Sequence, residues 1–365
     1  MIILVLLLMN CTQQHTNEEQ NNTDQPQQCE NTFPPTQVEY EDHEDHSSGE
    51  MPEELIIPIR EDFLPTYLSE TPLYTNISTK EVHPSMYYYE PQYQLWSDGA
   101  VKKRWTYIPE CEQIDSSDNN DWQFPVGTRF FKEFSIDGKR VETRLIERIG
   151  TGPRDFAYAS YLWNDDETEA TKVTIDGLSN VSQTNHDVPS KQECLQCHGS
   201  YAYGGGRPSR GLGFSAIQLS HDGNGTTLAD LLVEDKLSTP LEIENIAFPG
   251  TQTEQDALGY LHANCGNCHN DSKDGIPHTD LNLWVNIGFA TPQDTPTWKT
   301  AVNIPSQLFK TQHVDSRIEP GSPQHSSLYY RMSKRGNNAQ MPPIASKRPD
   351  EEGLQIIHQW IEELQ

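Results

Sequence analysis

Four of the seven cysteines in this chain fall in two copies of one short motif. The run Cys194–His198 reads Cys-Leu-Gln-Cys-His, and the run Cys265–His269 reads Cys-Gly-Asn-Cys-His. At this cysteine and histidine content, two chance copies are expected on the order of once in 10⁵ such chains. The repeat therefore indicates two copies of one chemical site, built from Cys194, Cys197, His198, Cys265, Cys268 and His269.

The spacing within each motif suits covalent attachment of haem. Cysteines three positions apart in a helical turn lie on one face, where both sulfurs can add to the two vinyl groups of haem. The adjoining histidine can then offer its imidazole to the iron as the proximal ligand. The sequence thus predicts two covalently bound c-type haems, with His198 and His269 as iron ligands.

Three other uses of paired cysteines compete with haem. A four-cysteine zinc site usually separates its pairs by about 15–20 residues, far fewer than lie between Cys197 and Cys265, and it would leave both histidines idle. A redox Cys-x-x-Cys pair usually accompanies a βαβ pattern, which we do not find in this sequence. A disulfide across a two-residue gap is strained. Haem is the interpretation that uses both cysteines and the histidine of each motif.

The segment around the second motif resembles the class I cytochrome c family over Thr253–Gln365. The resemblance rests on the motif itself, on the Met-Pro-Pro run that begins at Met341, and on the terminal helix around Trp360. It implies that the first and last helices pack together, that His269 is the proximal and Met341 the distal iron ligand, and that the domain carries single electrons. A methionine ligand gives a comparatively high reduction potential. Met332 is the rival ligand, but its helical spacing from Leu328 favours a place in the core.

The whole chain resembles bacterial diheme c-type cytochromes with a strand-rich N-terminal region, including the stretch Leu95–Ala100. No Met-Pro-Pro segment follows the first motif, so its sixth iron ligand is open. His186 or His221 would give a bis-histidine, low-potential relay. His262 lies a turn before Cys265 and either bridges the two centres or sits on the helix surface. Without any of these ligands, the iron could bind peroxide or another small substrate.

The elements that would position these motifs differ along the chain. Arg129–Ile136 and Arg140–Ile149 flank an Asp-Gly pair and predict a β-hairpin with one face in water. Phe156–Trp163 and Lys172–Ile175 predict further strands. The expected fold class is multidomain α+β, an antiparallel β-sandwich-like domain followed by an all-α cytochrome c domain. The expected organisation is a signal peptide at 1–10, a disordered acidic tether at 11–50, a strand-rich domain at 51–190, a first haem-attachment segment at 191–250 and the cytochrome c domain at 251–365.

The N-terminus predicts export. The apolar run Ile2–Met9 is too short to cross a bilayer, and it leads into Cys11, as in bacterial lipoprotein signals whose cysteine is acylated. An ordinary secretory signal is the alternative. We expect a protein that is periplasmic or on the cell surface, lipid-anchored to a membrane through Cys11. In an oxidising compartment Cys29 and Cys111 could form a disulfide, or remain separate thiols.

The net charge of the chain limits the classes of partner that it can bind. Lys and Arg number 26 against 54 Asp and Glu, a formal charge of −28, which disfavours nucleic acid and favours a redox protein with a basic docking surface. We expect a membrane-tethered diheme electron carrier acting on the outer side of the cytoplasmic membrane. The alternatives are a diheme oxidoreductase, peroxidase-like or oxidising a small molecule, with an open first haem, and a binding protein that merely contains haem.

Overall fold

A computed structural model describes most of the chain beyond its first residues. The described residues are 29–37, 63–152, 155–198, 211–241, 246–271, 279–344 and 346–365. The predicted signal peptide and Cys11 lie outside these ranges. Within them, no helix is both long enough and apolar enough to cross a membrane.

The centre of the fold is a six-stranded antiparallel sheet whose strands follow one another in chain order. Its hairpin turn is Asp137-Gly138, where both residues have positive φ, the backbone that a tight two-residue hairpin requires. The predicted hairpin and the strand Phe156–Trp163 are confirmed. The six strands are β3 (Tyr87–Tyr89), β4 (Val101–Tyr107), β5 (Arg129–Ile136), β6 (Lys139–Arg148), β7 (Phe156–Trp163) and β8 (Ala170–Lys172), and a separate pair is β1 (Tyr74–Asn76) and β2 (Glu81–Val82).

Both faces of the six-stranded sheet are covered. On the outer face, Trp105, Phe131 and Leu145 lie in register on β4, β5 and β6 and pack against the preceding segment around Leu68. On the inner face, Phe130 packs in a core formed largely by residues 211–248 and their neighbours. The prediction that one face of the hairpin is in water is therefore wrong, because the second half of the chain covers it.

The helices are short and are separated by long irregular stretches. Their bounds are α1 (Lys191–His198), α2 (Ala216–Leu219), α3 (Leu228–Val233), α4 (Gln252–Leu261), α5 (Pro296–Ala301), α6 (Ser327–Met332) and α7 (Glu351–Glu363). Single 3₁₀ turns occupy Leu68–Glu70, Val181–Gln183, Pro292–Asp294 and Pro323–His325, and a π-helical turn occupies His262–Gly266.

The predicted fold class is wrong in both halves. The strand-rich half has a single six-stranded sheet with a two-stranded accessory and not two stacked sheets. The C-terminal stretch is not an all-α domain, since its described residues are mostly turns and irregular backbone held by isolated bridges such as Val302 to Ile318 and Pro305 to Ser316. Alternating strands indicated one buried face each, but they carried no information on what would cover the other face.

The two helices that bracket the C-terminal stretch are capped by side chains and pack together. Thr251 caps α4 in a capping box with Glu254, and Asp350 caps α7 through the backbone N–H of Gly353. Side chains of both helices share one buried core that includes Leu261 and Trp360. Gly353 permits this contact, because a Cβ there would lie 2.2 Å from the Tyr260 ring.

Residues 29–37, assigned to the tether by sequence, instead lie against the sheet. Cys29 is disulfide-bonded to Cys111, which settles the alternative left open between a disulfide and separate thiols. The Phe33 ring contacts Tyr107 at a centroid distance of 5.3 Å, and the Thr36 N–H donates to Glu147. A covalent link and the contact of the half-buried Phe33 ring with Tyr107 hold this stretch against the sheet despite its polar composition.

Candidate functional site

The first motif ends a helix and the second follows one. Cys194, Cys197 and His198 lie in the last turns of α1, whereas Cys265 lies in the π-helical turn after α4. Wide π turns inside helices frequently mark functional sites. All four motif cysteines are free of disulfides, and the described residues contain no group of three or more His, Cys, Asp or Glu that could hold a metal ion. Neither a disulfide pair nor a four-cysteine zinc site is formed by these residues.

The two motifs, distant in the chain, are in direct contact. The Cys268 Sγ donates to the Gln196 carbonyl at 3.7 Å, and the side chains of Cys197 and Cys268 are hydrogen-bonded to each other. That hydrogen bond raises the pKa of the Cys197 thiol, and burial adds to the effect. The attachment points expected for two cofactors therefore lie side by side.

The first cysteine of each motif is held in its protonated thiol form. Burial raises the pKa of Cys194 to about 11 and that of Cys265 to about 12. A redox-active Cys-x-x-Cys pair needs a thiolate nucleophile, which a lowered pKa provides. The surroundings of Cys194 and Cys265 have the opposite effect, so they do not favour thiol–disulfide exchange.

The first motif opens into a cavity of about 160 Å³, which we call cavity 1. Cys194, Cys197 and His198 line it together with residues of the inner face of the sheet. The His198 ring lies 6.0 Å from the Tyr158 ring, centroid to centroid. Further lining residues are Trp122, Phe130, Ile146, Phe214, His262 and Trp284.

The second motif opens into a cavity of about 310 Å³, which we call cavity 2. Cys265, Cys268 and His269 line it together with Met341. The Nδ1 atom of His269 is buried without a hydrogen-bond partner. Burial lowers the pKa of His269 to about 4, and the charges of Arg331 and Arg317 act in the same direction. This imidazole is neutral at ordinary pH, which is the form that binds metals.

Both candidate methionines line cavity 2, but their surroundings favour different roles. Met332 is 7% exposed and belongs to the core formed with α7. Met341 is half-buried on irregular backbone, where its N–H donates to the Arg331 carbonyl and its own carbonyl accepts from Arg335. Backbone hydrogen bonds thus hold Met341 in place, and its thioether is not packed in the core around α7.

Two of the histidines considered for the first iron are already engaged elsewhere. His221 does not line cavity 1, and its Nε2 lies 2.7 Å from the Glu90 carbonyl oxygen. His186 is buried, lines cavity 2 and places its Nε2 2.7 Å from Glu142 Oε2. Neither is brought to cavity 1 beside His198.

Of the histidines His186, His221 and His262, only His262 lines cavity 1. The prediction that His262 lies on the helix surface is wrong, because its side chain is buried, with 2% exposed. Its Nδ1 accepts a hydrogen bond from the Val285 N–H at 3.1 Å. A neutral imidazole that accepts at Nδ1 carries its proton on Nε2. Metal-bound histidines instead donate their second ring nitrogen, so this arrangement disfavours ligation.

The sequence analysis missed a charged cluster between the two cavities. Arg144 lines both cavities and holds Glu142 through two hydrogen bonds of 2.7 and 2.9 Å. Burial disfavours the Glu142 carboxylate, but the Arg144 charge and the hydrogen bonds from His186 and Arg144 outweigh it and lower its pKa to about 2. The alternation of β6 contained the signal, since it places Glu142 and Arg144 on the same face as the apolar Ile146.

Comparisons with protein-family models, with curated proteins and with solved structures found no match.

Proposed function

We propose that this protein is an exported, lipid-anchored diheme c-type cytochrome that carries single electrons between redox partners. The observation that carries the proposal is the arrangement of the motifs: each motif lines a cavity, Cys197 lines both cavities, and Cys197 contacts Cys268 of the other motif. Two haems attached there would be neighbours, and electron transfer needs ligation, burial and proximity more than it needs acid–base groups.

The donors around the second motif suit a six-coordinate iron. His269 is neutral and shares cavity 2 with the thioether of Met341. When bound, haem supplies a reversible one-electron couple, and a methionine ligand raises its potential. Leu283 and Phe309 line the same cavity and would exclude water from the bound group.

The second candidate function is a diheme oxidoreductase with an open coordination position at the first haem. It is favoured by one observation: the described lining of cavity 1 contains no methionine, and its histidine other than His198 is His262, which accepts at Nδ1. Carbon monoxide binding to the reduced protein distinguishes the two functions. Binding at the first haem supports the oxidoreductase, and two CO-inert haems support the carrier.

Pairwise removal of the motif cysteines tests the proposed function. In the full chain matured in a host that assembles c-type cytochromes, Cys194→Ser/Cys197→Ser and Cys265→Ser/Cys268→Ser should each lose one of two covalent haems. Haem absorbance per polypeptide should therefore fall by about half, because each pair supplies the thioether links of one haem. The matched control is Cys29→Ser/Cys111→Ser, which removes the disulfide and should keep both haems. Full haem content in either motif variant would refute the proposal.

Anchoring is tested at Cys11. If its acyl chains hold the protein to a membrane, Cys11→Ser should move the protein from the membrane fraction to the soluble fraction. The fraction of protein that sediments with membranes measures this, with Cys29→Ser/Cys111→Ser again as control. Continued sedimentation of Cys11→Ser would contradict a lipid anchor.

The proposed partner is a redox protein with a basic docking surface. The net charge of −28 would steer such a partner toward this protein over long range and would repel an acidic one.

A further inference from the structure

Three cations form a row across the inner face of the sheet. Arg104 on β4 pairs in register with Lys132 on β5, which pairs in register with Arg144 on β6. All three side chains line cavity 1, as the first motif does. Like charges directly opposite each other on neighbouring strands destabilise a sheet. The row therefore needs anions to balance it.

Among the described residues, only one member of this row forms an ion pair with a carboxylate. Arg144 is paired with the carboxylate of Glu142. Lys132 has no ion pair or hydrogen bond to the described residues, and its ammonium group sits 5.0 Å from the Phe134 ring centroid. Arg104 is 3% exposed, donates one long hydrogen bond of 3.4 Å to Gln94, and leaves its buried Nη2 without a partner.

Two carboxylates near the row form their hydrogen bonds with other groups, although the charge of Glu90 also acts on Arg104. Glu90 accepts from the Tyr88 hydroxyl, and Glu193, which lines cavity 1, accepts from the Ser190 N–H and hydroxyl at 2.8 and 2.9 Å. Burial lowers the pKa of Lys132 well below its ordinary value, and the charges of Arg104 and Arg144 lower it further. Cations without counter-charge are costly to bury, so this wall is suited to an anionic ligand.

We propose that Arg104 and Lys132 bind the two propionate carboxylates of the haem attached through Cys194 and Cys197. The inference rests on the proposed function, because it needs a haem in cavity 1. Two unneutralised cations on neighbouring strands, about 4.8 Å apart between strands, match two carboxylates on one edge of a porphyrin. Arg104 offers a planar fork to one carboxylate, and Lys132 offers a point charge to the other.

The effect on the first haem follows from charge. Reduction makes the haem site more negative by one unit, so a nearby cation favours the reduced form. Removal of Lys132 also leaves one propionate unpaired, which favours the oxidised form further. Lys132→Gln should therefore lower the potential of the first haem, whereas the second haem in cavity 2 should keep its own.

The experiment is a spectroelectrochemical titration of the full-length holoprotein that resolves both haems. At a fixed potential, Lys132→Gln should change the oxidised-to-reduced ratio of the first haem about tenfold, a shift of about 59 mV. Lys132→Arg, which keeps the positive charge, should keep the potential of the first haem close to the wild-type value. The matched control is Lys103→Gln, which removes an exposed cation from the other face of β4 and should shift neither haem measurably.

Three outcomes would overturn the proposal. The first is an unchanged potential in Lys132→Gln, and the second is an equal shift in Lys103→Gln. The third is a wild-type potential that moves with added acetate, since an exchangeable carboxylate would then occupy the row in place of propionate. Failure of the proposed function looks different, because the Cys194–Cys197 segment would then carry no haem at all. Arg104→Lys, which keeps the charge at the buried position, should shift the potential less than Lys132→Gln.

Discussion

The two cavities share a motif and differ in what surrounds it. Cavity 1 has a sheet for one wall, with a row of cations and no methionine among its described residues. Cavity 2 is enclosed by α6, by irregular segments of the C-terminal stretch and by part of the strand-rich half. Two methionine thioethers line it, and its Arg317 is already paired with Asp280. The same motif thus lies in two different environments, and the environment sets the ligation and potential of any haem bound there. The comparison predicts two unequal redox centres.

The largest expected effect comes from removing the thioether of cavity 2. Met341→Ala should take one axial ligand from the second haem and lower its potential by roughly 180 mV, on the order of a thousandfold in the oxidised-to-reduced ratio. A redox titration with absorption spectra measures the shift together with the appearance of high-spin iron.

Met332 supplies the control for that experiment. Met332→Leu conserves volume in the buried core and should cost less than about 1.5 kcal/mol without changing the spectrum. A spectral change in Met332→Leu and none in Met341→Ala would exchange the roles of the two methionines.

The next effect concerns the charged cluster that separates the cavities. Glu142 is fully buried between Arg144 and His186. Its pKa in the folded protein, about 2, is below its ordinary value of 4.5, so the unfolded chain takes up the proton first as pH falls. The stability that the carboxylate provides, roughly 3 kcal/mol, is therefore complete above pH 4.5 and is lost as pH falls toward 2.

Glu142→Gln should remove this contribution. Urea unfolding at pH 7 should show the variant less stable than wild type by roughly 3 kcal/mol, and the difference should shrink as the pH is lowered through 4.5 toward 2. Glu81→Gln, an exposed position on β2, should differ from wild type by less than about 0.5 kcal/mol. A difference that stays constant with pH would mean that the carboxylate charge is not what stabilises the cluster.

The smallest effect is expected at His262. Asn at this position keeps an acceptor near Nδ1 for the Val285 N–H and removes Nε2 altogether. Because we infer that His262 is not an iron ligand, His262→Asn should leave the spin state of the first haem unchanged. Electron paramagnetic resonance of the oxidised protein would detect a lost ligand. A new high-spin signal would make His262 the sixth ligand and remove the main difference between the cavities.

Sequence patterns predicted local structure well where the signal was local. The Asp137-Gly138 pair marked the reversal of the chain in the hairpin, and the residues of Phe156–Trp163 indicated a strand that the structure has. These features depend on a few neighbouring residues, so they can be recognised without knowledge of the rest of the chain.

What covers each element could not be predicted in the same way. Lys132 and Arg144 alternate with apolar residues, as on a solvent-exposed strand face, yet they line a cavity closed by residues far away in sequence. The predicted all-α domain failed for a related reason: the resemblance implied a first and a last helix, which correspond to α4 and α7, but it did not indicate the irregular backbone between them. Two motif copies predicted two sites, and their contact through Cys197 and Cys268 arises only from the tertiary fold.

The central claim is that two haems are linked covalently, one at each motif. Its most direct test is the intact mass of the denatured full-length protein from a host that matures c-type cytochromes, followed by fragmentation. The account predicts the mass of the processed chain plus two haems, one located on the fragment with Cys194 and Cys197 and one on the fragment with Cys265 and Cys268. A bare polypeptide mass, or pigment that acidified organic solvent removes completely, would contradict it.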